Sequence, residues 1–274
     1  MGEYEEQRHC IHKKNKRAGA KMYVMICAVL CIFLVGCAQW IRLPKTESEA
    51  EFEAAAGEEA VTKTETASGE ESCPDSLEEL AESNPETEDF VKNYAEKKNQ
   101  KGKIEISEDL TGEIPLFLQW DERWGYRKYG EDYMAVNGCG PTCLSMVWCG
   151  LTGKTKWNPY EVAKMAEKKG FYVKGAGSAW GLMTEGAVEL GLVVETVIFD
   201  EAHIVDTLKE GNPIICVVGP GDFTTQGHFL VLTGVDDSGK IKIHDPNSKK
   251  NSKKTWKISR LKPQIKNLWA YRIP

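Results

Sequence analysis

Apolar positions are spread unevenly along the 274 residues. Residues 22–35 (Met-Tyr-Val-Met-Ile-Cys-Ala-Val-Leu-Cys-Ile-Phe-Leu-Val) are almost wholly apolar, whereas residues 44–112 hold few large apolar side chains among Glu, Ala, Thr, Ser and Lys. A patterned stretch begins at Ile114. Residues 114–120 read as a short strand or extended lead-in, followed by an aromatic loop with Trp120, Trp124, Tyr126, Tyr129 and Tyr133. Leu144, Met146 and Val147 then carry a helix that opens near Pro141 and stops near Gly150. Asn158-Pro159 caps and opens a second helix over 160–169, closed by Gly170; residues 180–190 read as a third and 201–210 as a fourth, ended by Gly211. Strand patterns follow over 214–218, 228–235, 240–244 and 268–273. Helices first and strands afterwards predict an α+β domain, a helical half packed on an antiparallel β-sheet. The sequence shows no internal repeat.

The apolar run is preceded, within residues 1–21, by Arg8, Lys13, Lys14, Lys16, Arg17 and Lys21. A basic flank before an apolar run predicts membrane targeting with the basic side inside. The run ends in Leu34-Val-Gly-Cys37, which resembles the lipobox of bacterial lipoproteins; on that resemblance Cys37 becomes the lipidated first residue of the mature chain. The alternative is an uncleaved signal anchor extended through Ala38 and Trp40 towards Arg42, about 20 residues and enough to span a bilayer. Residues 22–43 are thus a signal with lipobox or an anchor, and both readings put the rest of the chain on the extracytoplasmic side of the cell membrane. Residues 44–112 are expected to be an acidic flexible linker, because so little apolar surface cannot offset the entropy of ordering; within it, Leu77, Leu80, Phe90, Val91 and Tyr94 allow one or two short helices. The folded domain is expected over 113–274.

A net charge of -6, with the acid concentrated in the linker, argues against a nucleic-acid partner. Beyond Cys37 the cysteines are Cys73, Cys139, Cys143, Cys149 and Cys216, so in a monomer at least one thiol stays unpaired. Cys149 with Cys216 is a candidate bridge, and a bond from Cys143 to Cys139 would silence a thiol nucleophile.

The segment Asn137-Gly-Cys139-Gly-Pro-Thr-Cys143 sets Cys139 at the mouth of a helix, with glycines leaving room on both sides. Unpaired N–H groups and the positive helix end favour the thiolate, the form that attacks carbonyl carbon. A nucleophile needs a base, and the base an orienting group. His228 opens a strand directly after Gly227, where an active-site base belongs. His203 lies among apolar residues of the fourth helix and reads as structural. Pairing of the strands on either side of 236–239 would return the chain to the His228 end, and either His244 or Asp245 then faces the cleft, since neighbours alternate sides.

The segments Pro115-Leu-Phe-Leu-Gln-Trp-Asp-Glu-Arg-Trp-Gly125, Gly138-Cys-Gly-Pro-Thr142, Gly227-His-Phe-Leu-Val-Leu-Thr-Gly234 and His244-Asp-Pro246, with Tyr129-Gly130, together resemble the papain-like bacterial peptidases related to the bacteriocin-processing, double-glycine leader peptidases, family thirty-nine of the cysteine peptidases. The resemblance covers residues 113–274. It implies a papain-like fold with Cys139 as nucleophile, His228 as general base, Asp245 orienting the imidazole and Gln119 donating to the oxyanion. An aromatic insert separates Gln119 from Cys139, so Asn137 or the Cys139 backbone N–H is the alternative donor. No transporter or ATP-binding segment follows the domain, and an extracytoplasmic site does not suit leader removal, so the resemblance extends to fold and chemistry rather than to substrate. The expectation is a membrane-tethered cysteine hydrolase acting on a peptide or protein. Acyl transfer or cell-wall peptide hydrolysis by the same triad, and a non-catalytic module binding through the aromatic loop, are the alternatives. The sequence carries no metal cluster, phosphate loop or nucleotide fingerprint, so no cofactor is expected.

Overall fold

The computed structural model describes residues 72–274, apart from Lys101, Asp109 and Thr111. The basic flank, the apolar run with Cys37 and residues 44–71 lie outside the described residues. Among the described residues no helix is long and apolar enough to cross a membrane.

A six-stranded sheet organises the domain. Its strands are β1 (Val193–Thr196), β2 (Ile214–Val218), β3 (His228–Val235), β4 (Ile241–His244), β5 (Thr255–Trp256) and β6 (Ile265–Arg272), in the spatial order β1-β6-β2-β3-β4-β5. Every neighbouring pair is antiparallel. Central β2 is buried at all five positions, which is why it reads as an unbroken apolar run rather than an alternation. Ile215 and Val217 face one core with Phe229, Val231, Trp269 and Tyr271. Ile214, Cys216 and Val218 face a second core with Leu230, Leu232, Ile241 and Ile243.

Helix α2 (Cys139–Thr152) lies in the first core, and its buried run from Gly140 to Cys149 leaves little polar surface on any side. A helix apolar nearly all round is an interior helix. It ends where Gly153 takes a left-handed φ of 66° and returns its N–H to the Cys149 carbonyl at 2.8 Å. Helix α3 (Pro159–Lys168) packs beside it, with the Asn158 side chain accepting from the N–H groups of Tyr160 and Glu161. Helix α4 (Glu201–Lys209), capped by Asp200, covers the second core with Ile204 and Leu208. Helices α2 and α3 against one face of an antiparallel sheet, with α4 on the other face, make the α+β class that the sequence pattern predicts.

The structure corrects the domain boundary. Helix α1 (Asp75–Ser83) and the short helical pieces Pro85–Thr87, Glu88–Lys92 and Tyr94–Lys97 are part of the folded body, not of a linker. Leu77, Leu80, Phe90 and Tyr94 are buried with Leu118, Trp120, Tyr126, Tyr133 and Ala135 in a third core. The Phe90 ring stacks on Tyr126 at 4.1 Å between centroids, and the hydroxyls of Tyr94 and Tyr133 meet at 2.8 Å. Four apolar residues suffice because the aromatic loop supplies the opposing surface, which local composition does not reveal.

Smaller differences follow the same logic. Residues 180–190 form a 3-10 turn, Trp180–Met183, and a separate helix, Glu185–Glu189, broken at Thr184 (φ −110°, ψ −86°). Gly181 and Gly186 weaken a continuous helix there. The segment 114–118 is extended without joining a sheet, and 119–120 already lie in the turn that follows. Strands β1 and β5 escape the sequence pattern because each is short and pairs on one side only. The five described cysteines are all free, so the Cys149–Cys216 bridge does not form.

Candidate active site

Cys139 is the first residue of α2, half-buried, and glycines are required on both sides of it. A Cβ on Gly138 would lie 2.4 Å from the Met134 carbonyl oxygen, and one on Gly140 would lie 2.5 Å from Ser178 Oγ. Ser178 is itself fixed by the Tyr129 hydroxyl at 2.8 Å, so the wall beside the sulfur cannot retreat without breaking a buried bond. Burial pushes the Cys139 thiol up, but the His228 imidazole and the backbone N–H groups of Phe229 and Gly140 outweigh it, and the net direction is down from the usual 9.0.

His228 opens β3, paired with Val218 at the end of β2. Its Nε2 lies 2.8 Å from Asp245 Oδ1, which leaves Nδ1 as the ring nitrogen for Cys139. Burial works against a charged imidazole, yet the Asp245 carboxylate and the Cys139 sulfur raise its pKa from 6.5 to about 10. A thiol moved down and an imidazole moved up describe a thiolate–imidazolium pair.

The β3–β4 hairpin delivers Asp245. Val231 pairs with His244, and the turn is closed by the Gly239 N–H on the Asp236 carbonyl at 2.9 Å, with Gly239 at φ 77°. This settles the alternation at the strand end. The His244 Nδ1 lies 3.2 Å from the Pro115 carbonyl oxygen, and burial moves its pKa down, as for a neutral structural histidine. Asp245 is 1% exposed and accepts three bonds: from His228 Nε2, from the Asn247 N–H at 2.9 Å on the same oxygen, and from Asn251 Nδ2 at 2.9 Å on Oδ2. Asn247 and Asn251 carry no signal in the sequence beyond being polar residues after a proline. His203 is exposed on α4 and is not brought to this cluster.

Gln119 lies between the two halves of the site. Its backbone N–H donates to the Pro246 carbonyl at 2.7 Å, while its amide Nε2 donates to the carbonyls of Ala135 at 2.7 Å and Val136 at 3.2 Å. Its Oε1 is buried without a protein partner. Both amide hydrogens are therefore directed at the chain entering Cys139, and donation to an oxyanion requires one of them to turn. The alternative, Asn137, directs its Nδ2 to the Tyr129 carbonyl at 3.4 Å.

The aromatic loop is interior. Trp124 and Tyr129 are fully buried, and Trp120, Tyr126 and Tyr133 are nearly so, which removes the contact surface the binding-module reading needed.

Residues 111–272 match the sequence profile of the Peptidase_C39 like family. The crystal structure of a Bacillus anthracis protein named as a C39-like peptidase aligns at a TM-score of 0.37 and 14% identity, over 59% of this chain and 95% of that one, a likeness too slight to carry an argument. No curated protein matches the chain significantly.

Proposed function

The chain belongs to the Peptidase_C39 like family of cysteine peptidases, and on that premise we propose that it is a membrane-tethered, extracytoplasmic peptidase that cleaves amide bonds through an acyl-enzyme on Cys139. The observation that carries the reading is the 2.8 Å bond from His228 to a buried Asp245, beside a thiol at a helix N-terminus. In this mechanism the Cys139 thiolate attacks the scissile carbonyl carbon. His228, as imidazolium, gives its proton to the leaving amine as the C–N bond breaks, and a thioester remains. Neutral His228 then takes a proton from water as its oxygen attacks the thioester, the C–S bond breaks, and the acid leaves with the Cys139 thiolate and the His228 imidazolium restored. Asp245 holds the ring and stabilises its charged form throughout. Gln119 or the Cys139 backbone N–H stabilises the oxyanion. The tether is supported by the basic flank, the apolar run and Leu34-Val-Gly-Cys37.

Incubation with a peptide library, followed by mass spectrometry, tests the chemistry. Cleavage products that vanish with Cys139→Ala are expected; products joined to an added amine would favour acyl transfer, and no turnover would reject the enzyme. Mass spectrometry of protein from its own membrane tests the tether, with an acylated N-terminal Cys37 expected and an intact unacylated leader pointing to the signal anchor.

A further inference from the structure

We propose that Asn84 and Glu86, which precede the family-matching residues 111–272, are positioning residues that act on the candidate triad by holding the segment 247–251 beneath Asp245. The inference rests on the Cys139–His228–Asp245 reading and extends it to a part of the chain outside the family's own boundaries.

Two hydrogen-bonded legs run from this region to the Asp245 carboxylate. In the first, Asn84 Nδ2 donates to the Asn247 carbonyl at 2.7 Å, and the Asn247 N–H donates to Asp245 Oδ1 at 2.9 Å. In the second, Ser248 Oγ donates to Glu86 Oε1 at 2.5 Å and accepts from the Asn251 N–H at 3.1 Å; the Asn251 side chain then donates to Asp245 Oδ2 at 2.9 Å. The Lys250 N–H also points at the Glu86 carboxylate, at 3.3 Å. Both oxygens of Asp245 are therefore held by residues that 84–86 helps to position, the Asn247 carbonyl accepting from Trp120 Nε1 at 3.1 Å as well.

The support is local and preformed. Asn84 caps the turn Pro85–Thr87, its Oδ1 accepting from the Glu86 N–H at 3.1 Å, so the two residues are rigidly related. The burial of Leu77, Leu80, Phe90 and Tyr94 anchors the turn to the body. Asn84 and Glu86 are themselves half-buried polar residues outside that core, so removing their side chains leaves the anchoring contacts in place. An error of about 1 Å in a group that orients a reacting one is enough to lower rate strongly, which is why a remote brace affects chemistry.

The test uses the thiol itself, so it needs no knowledge of the substrate. Iodoacetamide alkylation of Cys139 is followed across pH in the reduced protein and in Asn84→Ala, Glu86→Ala and Glu86→Gln, with circular dichroism confirming the fold of each. The ionisable groups bearing on the Cys139–His228 pair are Asp245, Cys143 and Tyr129. A displaced Asp245 attracts the imidazolium less, so the thiolate loses its partner and the alkylation profile moves to higher pH. A shift of one unit cuts thiolate about tenfold at a pH below the thiol pKa; the more basic thiolate is intrinsically more reactive, and the net loss of rate is about threefold. Both alanine variants are expected to show this loss. Glu86→Gln, which keeps an acceptor oxygen for Ser248, is expected to recover most of it. Ser76→Ala is the control: Ser76 Oγ ties the same region to Asp132 at 2.8 Å without reaching 247–251, and its profile is expected to be unchanged. Folded alanine variants with a wild-type profile overturn the inference, as does an equal shift in Ser76→Ala. A wild-type Cys139 with the reactivity of a free thiol instead overturns the triad reading itself.

Discussion

His228 and Asp245 are separated by 17 residues in the chain, yet Nε2 and Oδ1 meet at 2.8 Å in the interior. The carboxylate cannot move to relieve the contact, because its other bonds, from Asn247 and Asn251, fix both oxygens. A buried charge so placed stabilises an imidazolium that burial alone would discharge.

Asp245→Asn removes that charge and puts an amide NH2 where one carboxylate oxygen accepted hydrogen bonds. Whichever position takes the NH2, it meets His228 with Asn247 or else Asn251, and an unmade buried bond costs about 1–3 kcal/mol. The variant is expected to fold with a lower melting temperature, to alkylate more slowly at Cys139 near neutral pH and to lose turnover by about 10²-fold or more. A wild-type rate would remove Asp245 from the mechanism.

The pH dependence has a definite sign. His228 is raised from 6.5 to about 10, so the imidazolium and the stability it contributes are fully present below about pH 6.5 and are lost as pH rises through 10. Cys139 is lowered from 9.0, so the thiolate's contribution is present above that value and is lost as pH falls through its folded pKa. The pair exists between the two limits. Alkylation of Cys139 should therefore persist below the pH at which an ordinary thiol loses its reactivity, and turnover should decline towards pH 10; an inflection at or above the ordinary thiol value would contradict the pairing.

Labelling should also be selective. Burial raises the thiols of Cys149 and Cys216 to about 12 and that of Cys143 well above its usual value, while Cys73 is raised by burial and by Glu78. Peptide mapping after brief iodoacetamide treatment at pH about 6 is expected to find the label on Cys139 before any of these.

Gln119 separates reactivity from turnover. Gln119→Ala should lower turnover by about 10²-fold if the amide serves the oxyanion, with alkylation of Cys139 little changed. It also removes two donors to the Ala135 and Val136 carbonyls, so a lower melting temperature is expected as well. Unchanged turnover would assign the oxyanion to backbone N–H groups.

The boundary of the folded body can be read by proteolysis. Limited digestion is expected to leave residues 75–112 attached to the domain, with no early cut near 113. Phe90→Ala, which deletes a ring that is 3% exposed and stacked on Tyr126, should destabilise the protein by about 3–5 kcal/mol in chemical denaturation. A fragment starting at 113 with undiminished stability would detach this region from the domain.

Much of the site was legible in the sequence. The glycines around Cys139, the apolar run behind it, and a histidine and an Asp-Pro at strand ends are local features, set by backbone sterics, helix termini and the two-residue period of strands. Those features placed the helix of Cys139, the strand of His228 and the strand that ends just before Asp245. The choice of Asp245 over His244 was not local: it depended on the hairpin register that pairs Val231 with His244 and on the Pro115 carbonyl that occupies the His244 ring. Nor was the fate of residues 75–97 local, since four apolar side chains in an acidic stretch order only against the aromatic loop 40 or so residues on. The sequence by itself determined the longer elements that carry the site and the chemical types at their ends, because those follow from near neighbours along the chain. Tertiary structure alone decided which groups became partners and that residues 75–97 belong to the body, because burial and hydrogen-bond satisfaction are properties of surfaces that meet only after folding.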